Sequence, residues 1–255
     1  MSLVIAIKDK NRIVLGADKQ ASFGGAKDHQ ATKIWEVSNL EGAIMGGVGS
    51  VRASQIIQYS EIIDKNAFAG EPSIDYIIRN LAPTIAATLN ANGVPCEVPT
   101  DSETGISGGC VMMPNAFLFA YKDKAWMIWH DLSVTEINDY VAIGSGAELA
   151  RGVLFATKDK NPFERIVTAI DAAAESTIYV DDGIDILLTE ERASDVKQFS
   201  KAIGIEIKNA EQVVDRIKEK NEEIIESGET AVTEEEPVEE KPKKKKKKEA
   251  KKEEE

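Results

Sequence analysis

The chain opens on two short apolar runs, Leu3-Val4-Ile5-Ala6-Ile7 and Ile13-Val14-Leu15-Gly16-Ala17, separated by the polar stretch Lys8-Asp9-Lys10-Asn11. Apolar runs of strand length on either side of a short polar connection predict a β-hairpin whose first strand starts at the chain terminus. Both runs are apolar on successive rather than alternate positions, so both faces of this hairpin are expected to be covered. After a Gly-containing loop at residues 22–32, residues 33–37 and 42–47 predict a second hairpin. Its last strand ends in Gly46-Gly47, where another backbone can come close. Over residues 50–65, Val51, Ile56, Ile57, Ile62 and Ile63 recur at helical spacing. A second helix starts at Ser73, presents Ile74, Ile77, Ile78, Leu81, Ile85 and Leu89 on one face, bends at Pro83 and stops at Asn92-Gly93.

Residues 94–107 are polar and proline-containing and are expected to form a surface insertion. Four strands follow at residues 109–113, 116–121, 125–130 and 140–143. Gly144-Ser145-Gly146 opens a helix to about residue 157. Asn161-Pro162, an N-cap followed by proline at the first helical position, starts another that runs to about residue 176. A last strand is expected at residues 184–189. Grouped strands and grouped helices imply an α+β protein, and the count fits a four-layer αββα sandwich of two antiparallel sheets. Beyond residue 190 the chain becomes charged. Residues 209–227 carry a capped amphipathic helical pattern, and from residue 228 apolar residues almost vanish, which predicts disorder. The domain division expected is therefore 1–207 for the folded unit, 208–228 for a charged C-terminal helix and 229–255 for an acidic, lysine-rich tail.

Composition narrows the function. The net charge is −13, and residues 229–255 hold ten acidic and nine basic residues, so −12 belongs to the rest of the chain. So acidic a body is a poor partner for a phosphate backbone, and nucleic acid is not expected. Cys96 and Cys110 form neither a disulfide framework nor a metal spacing, which points to a reducing, cytoplasmic setting. No signal peptide is recognisable, and no apolar run is long enough to cross a bilayer. His29 and His130 lack acidic or cysteine partners at ligand spacing, so no metal is expected, and no cofactor either. Trp35, Trp126 and Trp129 are expected in the core or at interfaces.

The small hydroxyl residue directly after Met1 changes the chemistry available. Removal of Met1 would leave a free α-amine and a hydroxyl on the same residue, Ser2, and the amine can then serve as base for its own hydroxyl.

Five segments resemble the signature segments of proteasome β-type subunits and of the bacterial proteasome-type ATP-dependent protease, a family of N-terminal nucleophile hydrolases. They are Ser2-Leu3-Val4-Ile5-Ala6, Gly16-Ala17-Asp18, Thr32-Lys33-Ile34, Met45-Gly46-Gly47 and Tyr140-Val141-Ala142-Ile143-Gly144-Ser145-Gly146. They occur in the family's order over residues 2–189. The resemblance implies Ser2 as nucleophile, where the family usually has threonine, and Asp18 as the carboxylate near it. It implies Lys33 as the cation that favours deprotonation, Gly47 as the N–H donor to an oxyanion, and Ser145 as the hydroxyl beside the terminal amine. It further implies peptide or unfolded-protein substrates, a ring of identical subunits and an ATP-dependent unfoldase partner, with loss of Met1 as the maturation step. The family pattern also has an aspartate three residues before a serine near the end of the last long helix. Here Thr177 stands at the first position, Val180 at the second, and Asp181-Asp182-Gly183 over the paired glycines that follow; the bacterial protease also lacks that aspartate.

Purely structural roles also suit these residues. Asp18 and Lys33 could form an ordinary ion pair at strand ends, Gly46-Gly47 a tight strand exit, and Gly144-Ser145-Gly146 a helix N-cap. A non-catalytic ring or scaffold subunit, and a different amidase on the same fold, are accordingly the alternatives to a peptidase. The lysine-rich tail suits a solvated linker or a docking tether.

Overall fold

The computed structural model describes residues 2–23, 26–28, 30–68, 70–97, 110–192 and 194–202. The expected C-terminal helix at 208–228 and tail at 229–255 lie outside them, as does His29. Two antiparallel sheets stack face to face, with helices on both outer sides.

The first sheet has the order β10-β1-β2-β11, from β1 (Leu3–Asp9), β2 (Arg12–Asp18), β10 (Tyr140–Gly144) and β11 (Ile184–Leu188). The second runs β5-β6-β7-β8-β9, from β5 (Ile34–Glu36), β6 (Ala43–Val48), β7 (Ala116–Tyr121), β8 (Lys124–Ile128) and β9 (Val134–Glu136). Helices α4 (Ala147–Ala156) and α5 (Pro162–Ser176) cover the outer face of the first sheet. Helices α1 (Val51–Gln58) and α3 (Ala82–Ala91) cover that of the second.

The doubly apolar strands cause this layering. In β1, Val4 and Ala6 enter the layer between the sheets, while Leu3, Ile5 and Ile7 enter the layer under α4 and α5. In β7, Leu118 and Ala120 face the other sheet, while Phe117 and Phe119 face the helices. A strand that buries a large side chain on both faces, each contributing about 1.5–3 kcal/mol, cannot sit at the protein surface. The chain start is thereby held inside a sheet rather than frayed.

Three expectations need correction. The helix beginning at Ser50 ends at Gln58 instead of continuing to residue 65. Ile62 and Ile63 are buried as expected, but the Asn39 side chain takes the Ile63 backbone out of helical pairing, donating to its carbonyl (2.9 Å) and accepting from its N–H (3.4 Å). Within residues 110–113 only an isolated bridge between Glu97 and Met112 forms, not a strand. The segment expected as a loop at 22–32 contains a small hairpin, β3 (Ala21–Phe23) with β4 (Ala26–Asp28). At Pro83 the missing N–H is accommodated by a π-helical turn (Ile77–Leu81) between α2 (Ile74–Tyr76) and α3.

Helix α6 (Asp195–Ala202) is fastened to the first hairpin through Arg12, which is buried. The guanidinium forks onto the Asp195 carboxylate at 2.5 and 2.9 Å, donates to Asp9 at 3.0 Å and to the Glu190 carbonyl at 3.1 Å. Arg12→Met is expected to lower unfolding stability by about 3–5 kcal/mol, because it leaves buried carboxylate uncompensated. Arg12→Met combined with Asp195→Leu is expected to recover much of that loss. Urea unfolding of the two variants checks both statements.

Candidate active site

Strand ends bring the site together. β1 pairs antiparallel with β2 and β10 at once, with Val4 opposite Ala17 and Leu3 opposite Gly144. Ser2, Asp18 and Ser145 therefore meet at one end of the strands of the first sheet. Gly144 is required there: its φ is +103°, and a Cβ would stand 2.0 Å from the Ser2 carbonyl oxygen.

Asp18 is the hub and is fully buried. Its Oδ1 accepts from the Leu3 N–H at 2.7 Å and from Lys33 Nζ at 2.6 Å. Its Oδ2 accepts from the N–H of Gln20 at 3.2 Å and of Asp181 at 3.4 Å. One carboxylate thus fixes the backbone beside Ser2 and seats the ammonium of Lys33, itself only 5% exposed. Burial is the largest influence on both charges. It pushes Asp18 above the usual carboxylate range and Lys33 below the ordinary lysine value, while the ion pair opposes both shifts.

Ser2 is 8% exposed and lines, with Lys33 and Gly47, a cleft of about 570 Å³. Its nitrogen donates to Ser145 Oγ at 3.1 Å, and that hydroxyl donates to the Ser2 carbonyl at 3.3 Å. Gly47 borders the same cleft. A Cβ there would come within 2.9 Å of both the Phe117 ring and Ser54 Oγ. Its N–H donates to the Lys33 carbonyl at 2.9 Å, as part of the β5–β6 pairing, so it is already engaged within the sheet.

The two departures at the end of α5 have clear structural consequences. Thr177 Oγ accepts from the Tyr179 N–H at 2.9 Å, turned onto its own chain. Val180 is buried, packed in the apolar layer with Ala173 and close to Gly146. An apolar contact therefore occupies the position of the family serine.

Three contributors had no signal in the sequence. Gln20 is fully buried, donates to Ser22 Oγ (3.1 Å) and the Ile178 carbonyl (2.8 Å), and forms part of the cleft wall. Asn115, also buried, accepts from the Ser50 N–H (2.9 Å) and donates to the Ser50 carbonyl (3.1 Å) and Ser54 Oγ (3.0 Å). It ties the Gly47–Ser50 turn to the start of β7. Arg52 lines the same cleft. Neither a spacing nor a period marks any of the three.

No family model matches the chain. Proteasome subunit beta 1 of Hyperthermus butylicus is 26% identical over 208 residues, an overlap that takes in 79% of this chain and 95% of that subunit. This relative supports a proteasome-type N-terminal nucleophile hydrolase family for the chain. Solved structures agree on the fold. Thiobacillus denitrificans BPH in complex with epoxomicin superposes with a TM-score of 0.53 at 18% identity, over 73% of this chain and 97% of that one. Eukaryotic HslV from Trypanosoma brucei gives 0.52 at 16% identity, over 73% and 98%. The αββα architecture of this chain is the one it shares with these two structures.

Proposed function

We propose that this proteasome-type chain is a peptidase that hydrolyses peptide bonds with Ser2 as its nucleophile once Met1 is removed. It works in the cytoplasm, in a chamber built from a ring of identical subunits, with an ATP-dependent unfoldase delivering unfolded protein. The observation that carries this reading is the Asp18 hub, which holds the start of β1 and the Lys33 ammonium on one carboxylate oxygen beside a cleft that Ser2 lines.

The α-amine of Ser2 takes the proton of its own hydroxyl as Oγ bonds to the scissile carbonyl carbon. Ser145 Oγ, at hydrogen-bond distance from that nitrogen, holds the amine in place. The positive charge of Lys33 favours both the neutral amine and the developing alkoxide. The oxyanion lies against the Gly47 N–H, which shares its proton between the incoming oxygen and the Lys33 carbonyl. Collapse breaks the C–N bond, and the protonated amine passes its proton to the leaving nitrogen. Water, deprotonated by the same amine, then attacks the ester and releases the acid with Ser2 restored.

The intact mass of the purified protein is expected to correspond to a chain beginning at Ser2. A retained Met1 would leave Ser2 without a free amine and defeat the proposal.

A further inference from the structure

The charge of the cleft runs against that of the molecule. The chain carries −13, yet among the described residues neither aspartate nor glutamate lines the cleft beside Ser2, and the charged ones that do are Lys33 and Arg52. Lys33 is balanced by Asp18 at 2.6 Å. Arg52, in the first turn of α1, is exposed, and its Nη2 donates to the Asn92 carbonyl at 3.1 Å. Among the described residues no carboxylate pairs with it. A guanidinium offers five donors, so a single bond to Asn92 holds the group in place while leaving a fork for a carboxylate. The neighbouring wall, Ser50, Gln55 and Gln58, is polar and uncharged. The acidic body acts at longer range and is screened beyond about 8 Å at physiological salt, whereas a contact at Arg52 is local.

We propose that Arg52 is the specificity-determining residue of this cleft, and that the peptide segment bound there carries an aspartate or glutamate side chain paired with its guanidinium. This rests on the cleft being the peptide site of the proposed reaction.

Binding is the test, because it is independent of turnover. Full-length protein carrying Ser2→Ala is titrated, by fluorescence anisotropy, with neutral labelled peptides in which one glutamate is moved through each position, each against its glutamine control. At one position the glutamate peptide is expected to bind about tenfold tighter, as a charge-assisted hydrogen bond gives. That preference should vanish in Arg52→Gln, persist largely in Arg52→Lys, and turn into a preference for lysine in Arg52→Glu. Equal binding of glutamate and glutamine throughout the set, or a preference that Arg52→Gln leaves intact, overturns the inference. Hydrolysis by the protein with Ser2 in place is measured separately. Absent hydrolysis with the glutamate preference intact defeats the peptidase reading and spares the role of Arg52; hydrolysis indifferent to charge does the reverse.

Discussion

Ser2→Ala is expected to remove peptide hydrolysis, with a fall in kcat on the order of 10⁶-fold, as when a catalytic nucleophile is deleted elsewhere. The substitution takes away the atom that forms the acyl bond and leaves everything around it in place. The N–H of Leu3 still reaches Asp18, β1 still pairs with β2 and β10, and the small cavity left by one hydroxyl lies at the edge of an open cleft. Assembly and thermal stability should therefore match the parent. Ser2→Thr should keep activity, since it preserves both hydroxyl and amine. Hydrolysis of fluorogenic peptides by Ser2→Ala at the parental rate would place the nucleophile elsewhere.

Replacement of Lys33 is expected to cost about 10²- to 10⁴-fold in kcat/KM, the usual scale for a group that sets proton transfer. Lys33→Met alone would strand a fully buried carboxylate, so the informative variant pairs it with Asp18→Asn. The pH profile separates electrostatic from structural loss. The terminal amine must be neutral to act as base, and the Lys33 cation lowers the pH at which it becomes so. Activity in the parent should rise on the acid side as the amine loses its proton. Because burial holds Lys33 below its ordinary value of 10.5, activity should fall again on the alkaline side before pH 10.5, as that cation is lost. In the Lys33→Met, Asp18→Asn protein the acid limb should move to higher pH and the alkaline limb should disappear. An unmoved acid limb would show that the Lys33–Asp18 pair as a whole does not set the titration of the amine.

Much of this could be read from the sequence, because the informative residues sit where local rules are strict. Successive apolar residues in β1 and β2 require cover on both faces, and that requirement alone leads to stacked sheets between helices. Asn161-Pro162 marks the start of α5, where the Asn161 side chain accepts from the Glu164 N–H at 3.0 Å. Ser2, Asp18, Lys33 and Ser145 are legible as motif residues at strand ends, and strand pairing carries Ser2, Asp18 and Ser145 to one place. Asn39 overrides a good helical pattern through contacts 24 residues distant in sequence. β9 is three residues long, too short for its alternation to register. Arg52 and Gln20 belong to a cleft wall assembled from separate segments, and Asn115 braces the Ser50 turn of that wall from the start of β7, so their roles exist only after folding. The engaged N–H of Gly47 likewise depends on the β5–β6 register rather than on the residue itself.

Whether Ser2 is the reacting atom can be settled by treating the native protein with a peptide bearing an electrophilic warhead, then mapping the adduct by peptide mass spectrometry. The account predicts a single adduct on an N-terminal peptide that begins with Ser2, absent in Ser2→Ala. An adduct on any other side chain, or none under conditions where peptides are hydrolysed, would contradict it.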